Sequence, residues 1–434
     1  MPHPQLIAIA ASVGLLLGFG CKSPAPDQAR PERPALSSRA LAAASARVEP
    51  GPASLAFEPG DAARGKALVA EYECNRCHQG TGHGTPKLDQ DCVGCHEQIA
   101  TGKFGANRAK LPEWQAHVAP YRDVPSLTAL GARVRPAWIR DYLLHPHDLR
   151  PNLLQTMPRL KLTPDQARDI ATFLSLPLEA PAGSPLPTPV LAVSADPAHV
   201  ARGKQLMTER GCIGCHHMTG AGFSPPVRSE PAPRSLGLAP DLRFARERAE
   251  PATLVNWLLD PTRLKHDAAM PNLGLPAEDA RDLAAFLSFG ALEPPAAPKA
   301  PSRLPLLARP VRFAEVNAKV FAVTCRHCHT NPDLAGGDGG PGNTGGFGFE
   351  PRKIDFSSYQ GIQSGGVDAQ GQRVSLFEKT SEGLPRLVAA LVQRAREEGG
   401  GASEDLRGMP LGLPALSPED IQLVESWVDQ GRPL

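Results

Sequence analysis

Four five-residue strings repeat one arrangement of thiols and imidazole: Cys74-Asn75-Arg76-Cys77-His78, Cys92-Val93-Gly94-Cys95-His96, Cys212-Ile213-Gly214-Cys215-His216 and Cys325-Arg326-His327-Cys328-His329. They take up eight of the nine cysteines in the chain. Two thiols three positions apart can bond covalently to the two vinyl groups on one edge of a porphyrin, and the histidine that follows reaches the iron from one face. Each string therefore predicts one covalently held haem c, four for the chain. A redox dithiol or half of a zinc site also uses Cys-x-x-Cys, but neither needs a histidine directly after the second cysteine.

The ninth cysteine, Cys21, lies at the end of an apolar run from Leu6 to Phe19, and the chain turns polar at Lys22 and Ser23. This reads as a bacterial secretion signal over residues 1–21, with Cys21 a candidate lipidation site. Two features depart from that pattern: residues 1–5 carry no Lys or Arg, and Gly18-Phe19-Gly20 precedes the cysteine. An ordinary signal peptide cut nearby is the alternative. The apolar run, about 14 residues, is shorter than the roughly 20 needed to cross a bilayer. Either way the chain is expected to be exported, periplasmic or membrane-anchored facing the periplasm.

The strings must be held by something, and the rest of the chain divides around them. A length of 434 residues allows about three domains, and 47 prolines crowd into the stretches between them. Residues 22–54, rich in Pro, Ala and Ser, read as a flexible linker, and residues 177–197 and 291–310 as interdomain linkers. These leave a unit at 55–176 with two strings, one at 198–290 with one, and one at 311–434 with one. Ala63-Arg64-Gly65-Lys66-Ala67-Leu68 before the first string recurs as Ala201-Arg202-Gly203-Lys204-Gln205-Leu206 before the third. Tyr142-Leu143-Leu144 with Pro146, then Met157-Pro158, recurs as Trp257-Leu258-Leu259 with Pro261, then Met270-Pro271.

Each unit is expected to end in a helix. In the first, Thr163 as N-cap, Pro164 at the first helical position and Gln166 form a capping box before Ala167, Ile170, Ala171 and Leu174. The second helix spans Ala277 to Phe289, and in the third unit Ser417-Pro418 opens a helix with Ile421, Val424 and Val428 on one side. A further helix, Val316 to Val323, leads into the fourth string, and a glycine-rich insertion from Gly336 to Gly348 follows it. Alternating apolar strands are scarce outside residues 351–377, so the fold class is mostly α.

A helix, a Cys-x-x-Cys-His string, a Gly-x-Gly loop, a later Met-Pro and a closing amphipathic helix resemble class I cytochrome c, over nearly all of residues 55–434. The resemblance implies three tandem helical domains joined by the Pro-rich linkers. It also implies that the histidine and a methionine sulfur bind iron from opposite sides, which pairs His78 with Met157, His216 with Met270, and His329 with Met409. A neutral thioether favours reduced iron and raises the potential relative to a second imidazole. His96 in the second string has no methionine of its own by repeat alignment, and His83 and His117 are the local candidates for its sixth ligand. His145, His147 and His266 lie in the loops before the methionines and are expected to be solvated.

The function this implies is electron transfer, with Fe(III)/Fe(II) cycling between periplasmic or membrane redox partners such as other cytochromes, a dehydrogenase or an oxidase. One alternative is a redox enzyme, a peroxidase or small-molecule reductase, with an open haem at Cys92, Cys95 and His96 and Glu97, His83 or His117 as acid–base group. Another is a lipid-anchored cytochrome subunit of a dehydrogenase or oxidase complex. A carrier is favoured over a catalyst, because iron with both axial positions filled leaves no site for substrate. The formal charge of +1 gives no case for nucleic acid.

Overall fold

The computed structural model describes residues 56–88, 90–105, 111–115, 118, 122–147, 149–153, 157–178, 192–227, 234–294, 303–331, 352–368, 370–398 and 406–434. Cys21, His117, the linker at 22–54 and the glycine-rich stretch from Gly336 to Gly348 lie outside the described residues.

Helices dominate, in the order α1 (Ala62–Glu71), α2 (Cys92–Ala100), α3 (Leu111–Gln115), α4 (Pro136–Leu144), α5 (Pro164–Leu174), α6 (Pro197–Glu209), α7 (Arg234–Leu238), α8 (Ala245–Arg248), α9 (Pro251–Leu259), α10 (Pro261–Leu264) and α11 (Ala277–Phe289). Beyond these come α12 (Phe313–Val316), α13 (Tyr359–Ser364), α14 (Arg386–Glu398) and α15 (Pro418–Asp429). The strand-like region holds one antiparallel ribbon, β1 (Gly366–Val367) against β2 (Arg373–Val374). No helix among the described residues is long and apolar enough to cross a membrane.

The capping box at Thr163 is present in both directions: Thr163 Oγ1 accepts from the Gln166 amide, and Gln166 Oε1 accepts from the Thr163 amide. Ser417 caps α15 by accepting from the Asp420 amide at 3.1 Å. The approach to the fourth string differs from the expected plain helix, because α12 widens into a π-helix over Asn317–Cys325. α14 was not foreseen. Its buried Leu387, Val388, Leu391 and Val392 form a helical stripe in the third core.

Core residues gather into separate clusters. One lies within 57–178 around Leu68, Val69, Ile170 and Phe173, and one within 193–292 around Leu206, Val255, Leu283 and Phe286. The third, within 307–428, surrounds fully buried Trp427, whose indole donates to the Pro433 carbonyl at 3.0 Å. A small fourth cluster of Cys95, Ile99 and Val118 lines the inner side of α2.

In the first two clusters the opening helix crosses the closing one, α1 over α5 and α6 over α11. The repeated glycine is the reason they can. A Cβ on Gly65 would stand 2.1 Å from the Asp169 carbonyl oxygen, and one on Gly203 would stand 1.9 Å from the Asp282 carbonyl oxygen. Only a residue without a side chain lets the backbones approach so closely.

The clusters are not beads on a string. The Arg135 amide donates to the Arg248 carbonyl at 2.7 Å, the Asp241 amide donates to the Leu149 carbonyl at 2.9 Å, and the Arg135 guanidinium pairs with Glu250. The expected linker at 291–310 is docked at its far end, where the Leu307 amide donates to Ser426 Oγ at 2.9 Å and Arg303 pairs with Glu425.

Candidate haem-binding sites

The first and third strings are built alike. Each begins as a 3₁₀ turn, Cys74–Arg76 or Cys212–Gly214, after a left-handed residue, Glu73 at φ 51° or Gly211 at φ 72°. The turn carries the His78 amide to the Cys74 carbonyl at 2.9 Å and the His216 amide to the Cys212 carbonyl at 3.0 Å. It thereby folds the histidine back beside its two cysteines.

A strap from further along the chain then orients each imidazole. His78 Nδ1 lies 2.8 Å from the Pro125 carbonyl oxygen, and His216 Nδ1 lies 2.9 Å from the Pro240 carbonyl oxygen. A carbonyl accepts, so Nδ1 carries the proton in both rings and Nε2 keeps its lone pair for a metal. The straps are themselves fixed, with the Leu127 amide donating to the Gln79 carbonyl at 2.8 Å and the Leu242 amide to the His217 carbonyl at 2.9 Å. Burial pushes both imidazoles below their ordinary pKa, against the carbonyl hydrogen bond, and Arg150 adds to the effect at His78. Both are thus held neutral, the state that binds iron.

In two units the expected methionine borders the same core as an attachment cysteine. Met157 packs on the same core as Cys74, and Met270 on the same core as Cys212. Trp257 donates its indole N–H to Met270 Sδ at 3.1 Å. Met207 and Met218, by contrast, are buried core residues. Met409 is partly buried, its amide donating to the Ala390 carbonyl at 3.0 Å on α14.

The second and fourth strings use other local frames. Cys92, Cys95 and His96 lie in the first turns of α2, capped by Asp91, whose carboxylate accepts from the Gly94 amide at 2.8 Å. Glu97 is exposed and paired with Arg122 at 3.1 Å. The fourth string follows the π-helix, with the His329 amide on the Cys325 carbonyl at 3.0 Å and the Phe356 amide on the His329 carbonyl at 2.7 Å. Burial pushes the Cys74 and Cys95 thiols up to about 11 and the Cys325 thiol up to about 12.

Three strings meet. Cys77 and Cys92 share a hydrogen bond, which, with burial, raises the Cys77 thiol well above its ordinary value and, against burial, lowers that of Cys92. The rings of His96 and His327 have centroids 6.4 Å apart. His83 is turned elsewhere, its Nε2 lying 3.0 Å from the Lys66 carbonyl oxygen and its ring 6.4 Å from that of Phe173.

The seam between the first two clusters gathers cations. Burial is the largest cause that holds Arg133, Arg150, Arg248 and Lys265 below their ordinary values; Arg150 adds to it at the other three, and Arg133 at Arg248 and Lys265. Arg133 and Arg248 are pushed down to about 10. Arg248 stacks over Trp138 with its guanidinium carbon 5.0 Å from the ring centre, and Arg150 Nη1 donates to the Asp123 carbonyl at 3.1 Å. Among the described residues, the buried Nε atoms of Arg133 and Arg248 have no hydrogen-bond partner. His147, expected in solvent, is packed here instead, 4.6 Å from Phe244 and 5.3 Å from Tyr142 between ring centres, whereas His145 and His266 are exposed.

The sequence reading missed Pro125, Pro240, Trp257 and the seam cations. The signal was present as an ungapped repeat, residues 125–150 against 240–265, beginning Pro125-Ser126-Leu127 and Pro240-Asp241-Leu242. These residues fit haem c: neutral imidazoles with Nε2 available, a thioether on the same core, and cations suited to the propionate carboxylates. No three His, Cys, Asp or Glu side chains among the described residues converge as a metal-ion site.

A family model described as Cytochrome c matches residues 200–289. No curated protein and no solved structure matches the chain. Residues 200–289, which carry the third string and the oriented His216, are therefore similar to a cytochrome c domain, which supports a c-type cytochrome with covalently bound haem c and haem-based electron transfer in general.

Proposed function

We propose that the chain is an exported electron carrier with four haem c groups, one at each string, set in three cytochrome c-like domains at 55–176, 198–290 and 311–434. Haem c supplies one-electron Fe(III)/Fe(II) cycling. The chain supplies the rest. His78, His216 and His329 give one axial ligand each, Met157, Met270 and Met409 the other, and His96 serves the second string. Arg133, Arg150, Arg248 and Lys265 hold the propionate carboxylates at the seam. Cys21 tethers the chain to a membrane facing the periplasm, beside a cytochrome, dehydrogenase or oxidase that donates or accepts electrons.

The observation that carries this reading is the convergence of the strings: Cys77 is hydrogen-bonded to Cys92, and the His96 ring lies 6.4 Å from the His327 ring. Attachment points in contact suit a relay, because electron transfer weakens steeply with distance. The repeated oriented imidazole at His78 supports the same assignment there as at His216. Glu97, the acid–base candidate of the enzyme reading, is engaged by Arg122 at the surface.

Intact-mass analysis and a pyridine haemochrome assay of the exported full-length protein test the reading. The expected count is four haems per chain, falling to three in a Cys92→Ser/Cys95→Ser variant. A wild-type count of one, confined to Cys212 and Cys215, would refute the multihaem assignment.

A further inference from the structure

The geometry points to His327, inside the fourth string, as the sixth ligand of the iron held at the second string through His96. This assignment rests on the four-haem reading above and supplies a ligand that the segment around the second string leaves open.

Two imidazoles on opposite sides of one iron have their ring centres about 6 Å apart, given a metal–nitrogen bond of about 2 Å on each side. The centroids of His96 and His327 are 6.4 Å apart. Their planes meet at 55°, and rotation about the two metal–nitrogen bonds leaves that angle unconstrained.

Of the two local candidates, His117 lies outside the described residues and His83 is placed elsewhere. His83 is engaged at the Lys66 carbonyl and Phe173. Met157 and Met270 belong to the first and second cores. α2 is held by Asp91 at its start and by Cys95 and Ile99 in their own small core, so His96 is presented from a fixed element.

Two consequences follow. Two imidazoles and no thioether give the second site a lower potential than a His/Met site. The ligand of one iron also lies between Cys325 and Cys328, the attachment cysteines of the next. The two redox sites are therefore linked through a single residue, and the unit at 303–434 is fastened to the insertion around α2 by a coordinate bond.

The test uses the full-length holo-protein. Wild type should hold four haems by pyridine haemochrome and show one bis-imidazole iron by low-temperature EPR and near-infrared magnetic circular dichroism. In His327→Ala the count should stay at four, one equivalent of low-spin iron should become high-spin, and added imidazole should restore it. His83→Ala should leave the spectrum unchanged. Four haems with an intact bis-imidazole signal in His327→Ala would overturn the ligand alone. The absence of any bis-imidazole iron in four-haem wild type would do so without a variant, should His327→Ala fail to assemble. A wild-type protein with Cys92 and Cys95 unmodified would remove the four-haem reading and this ligand together.

Discussion

The indole of Trp257 is a handle on the potential of the cytochrome c domain. Its N–H donates to Met270 Sδ at 3.1 Å, which draws electron density from the sulfur proposed above as an iron ligand. A poorer sulfur donor disfavours Fe(III) more than Fe(II), so removing the hydrogen bond should stabilise the oxidised state and lower the potential. A neutral hydrogen bond contributes about 1 kcal/mol net, and sulfur is a weak acceptor, so about 0.5–1 kcal/mol is at stake. For a one-electron couple about 1.4 kcal/mol corresponds to about 59 mV, so Trp257→Phe should shift the midpoint down by roughly 20–40 mV. The ring is kept, which limits the packing change.

Spectroelectrochemical titration of the full-length protein measures the shift, and Met270→Ala identifies which component belongs to this domain, since its iron should stay attached yet turn high-spin or fall in potential. The two changes should not add. With the sulfur gone, Trp257→Phe in a Met270→Ala background should have no further effect on that component, as a double-mutant cycle would read. An unchanged midpoint in Trp257→Phe, or the same shift with and without Met270, would refute the reasoning.

Gly203→Ala places a Cβ 1.9 Å from the Asp282 carbonyl oxygen and should destabilise the holo-protein by about 3 kcal/mol in denaturant titrations, whereas Gly214→Ala, with nothing within 4 Å, should be nearly silent. Asp169, fully buried, accepts from Arg64 and the Asp61 amide, which holds its carboxyl below the usual value. Its contribution is therefore complete above the unfolded value of about 3.9 and is lost as pH falls through the lowered folded value; Asp169→Asn should flatten stability against pH in that acid range. Arg248→Gln removes the cation over Trp138 and should split a joint calorimetric transition of the first two units into two.

Much of the site was legible because covalent chemistry fixes spacing. A thiol pair and an adjacent histidine must be contiguous, so the strings stand out, and the closing helices carry their caps in sequence at Thr163 and Ser417. What joins distant residues was not legible. Pro125 and Pro240 act through carbonyl oxygens, which any residue possesses, so only the repeat could mark them. His327 reads as filler within its string, because the two positions between the cysteines are unrestricted for attachment. His147 has the polar neighbours of a surface loop, and its burial depends on Phe244 of the next unit. α14 carries a helical stripe, but it follows a glycine-rich segment that suggests loops.

Duplication explains both the seam and its hazard. Arg133 and Arg150 in the first unit occupy the repeat positions of Arg248 and Lys265 in the second, so when the copies pack face to face their cations meet. Like charges in a partly buried seam repel, and the carboxylates of Asp267, on Lys265, and Asp123, near Arg150, offset part of that repulsion. One repeat position has diverged in a way that offsets this. Arg135 corresponds to Glu250, and the two form an ion pair across the seam, with Nη2 donating to Oε2 at 3.0 Å. Had both copies kept arginine, this position would add two more cations to the four. The substitution in one copy turns a clash that repetition makes unavoidable into a bond that fixes the register of the two units. On the four-haem reading proposed above, the carboxylates of covalently bound haem would add further anions to this seam. Apo-protein should accordingly hold its individual helices better than it holds this seam.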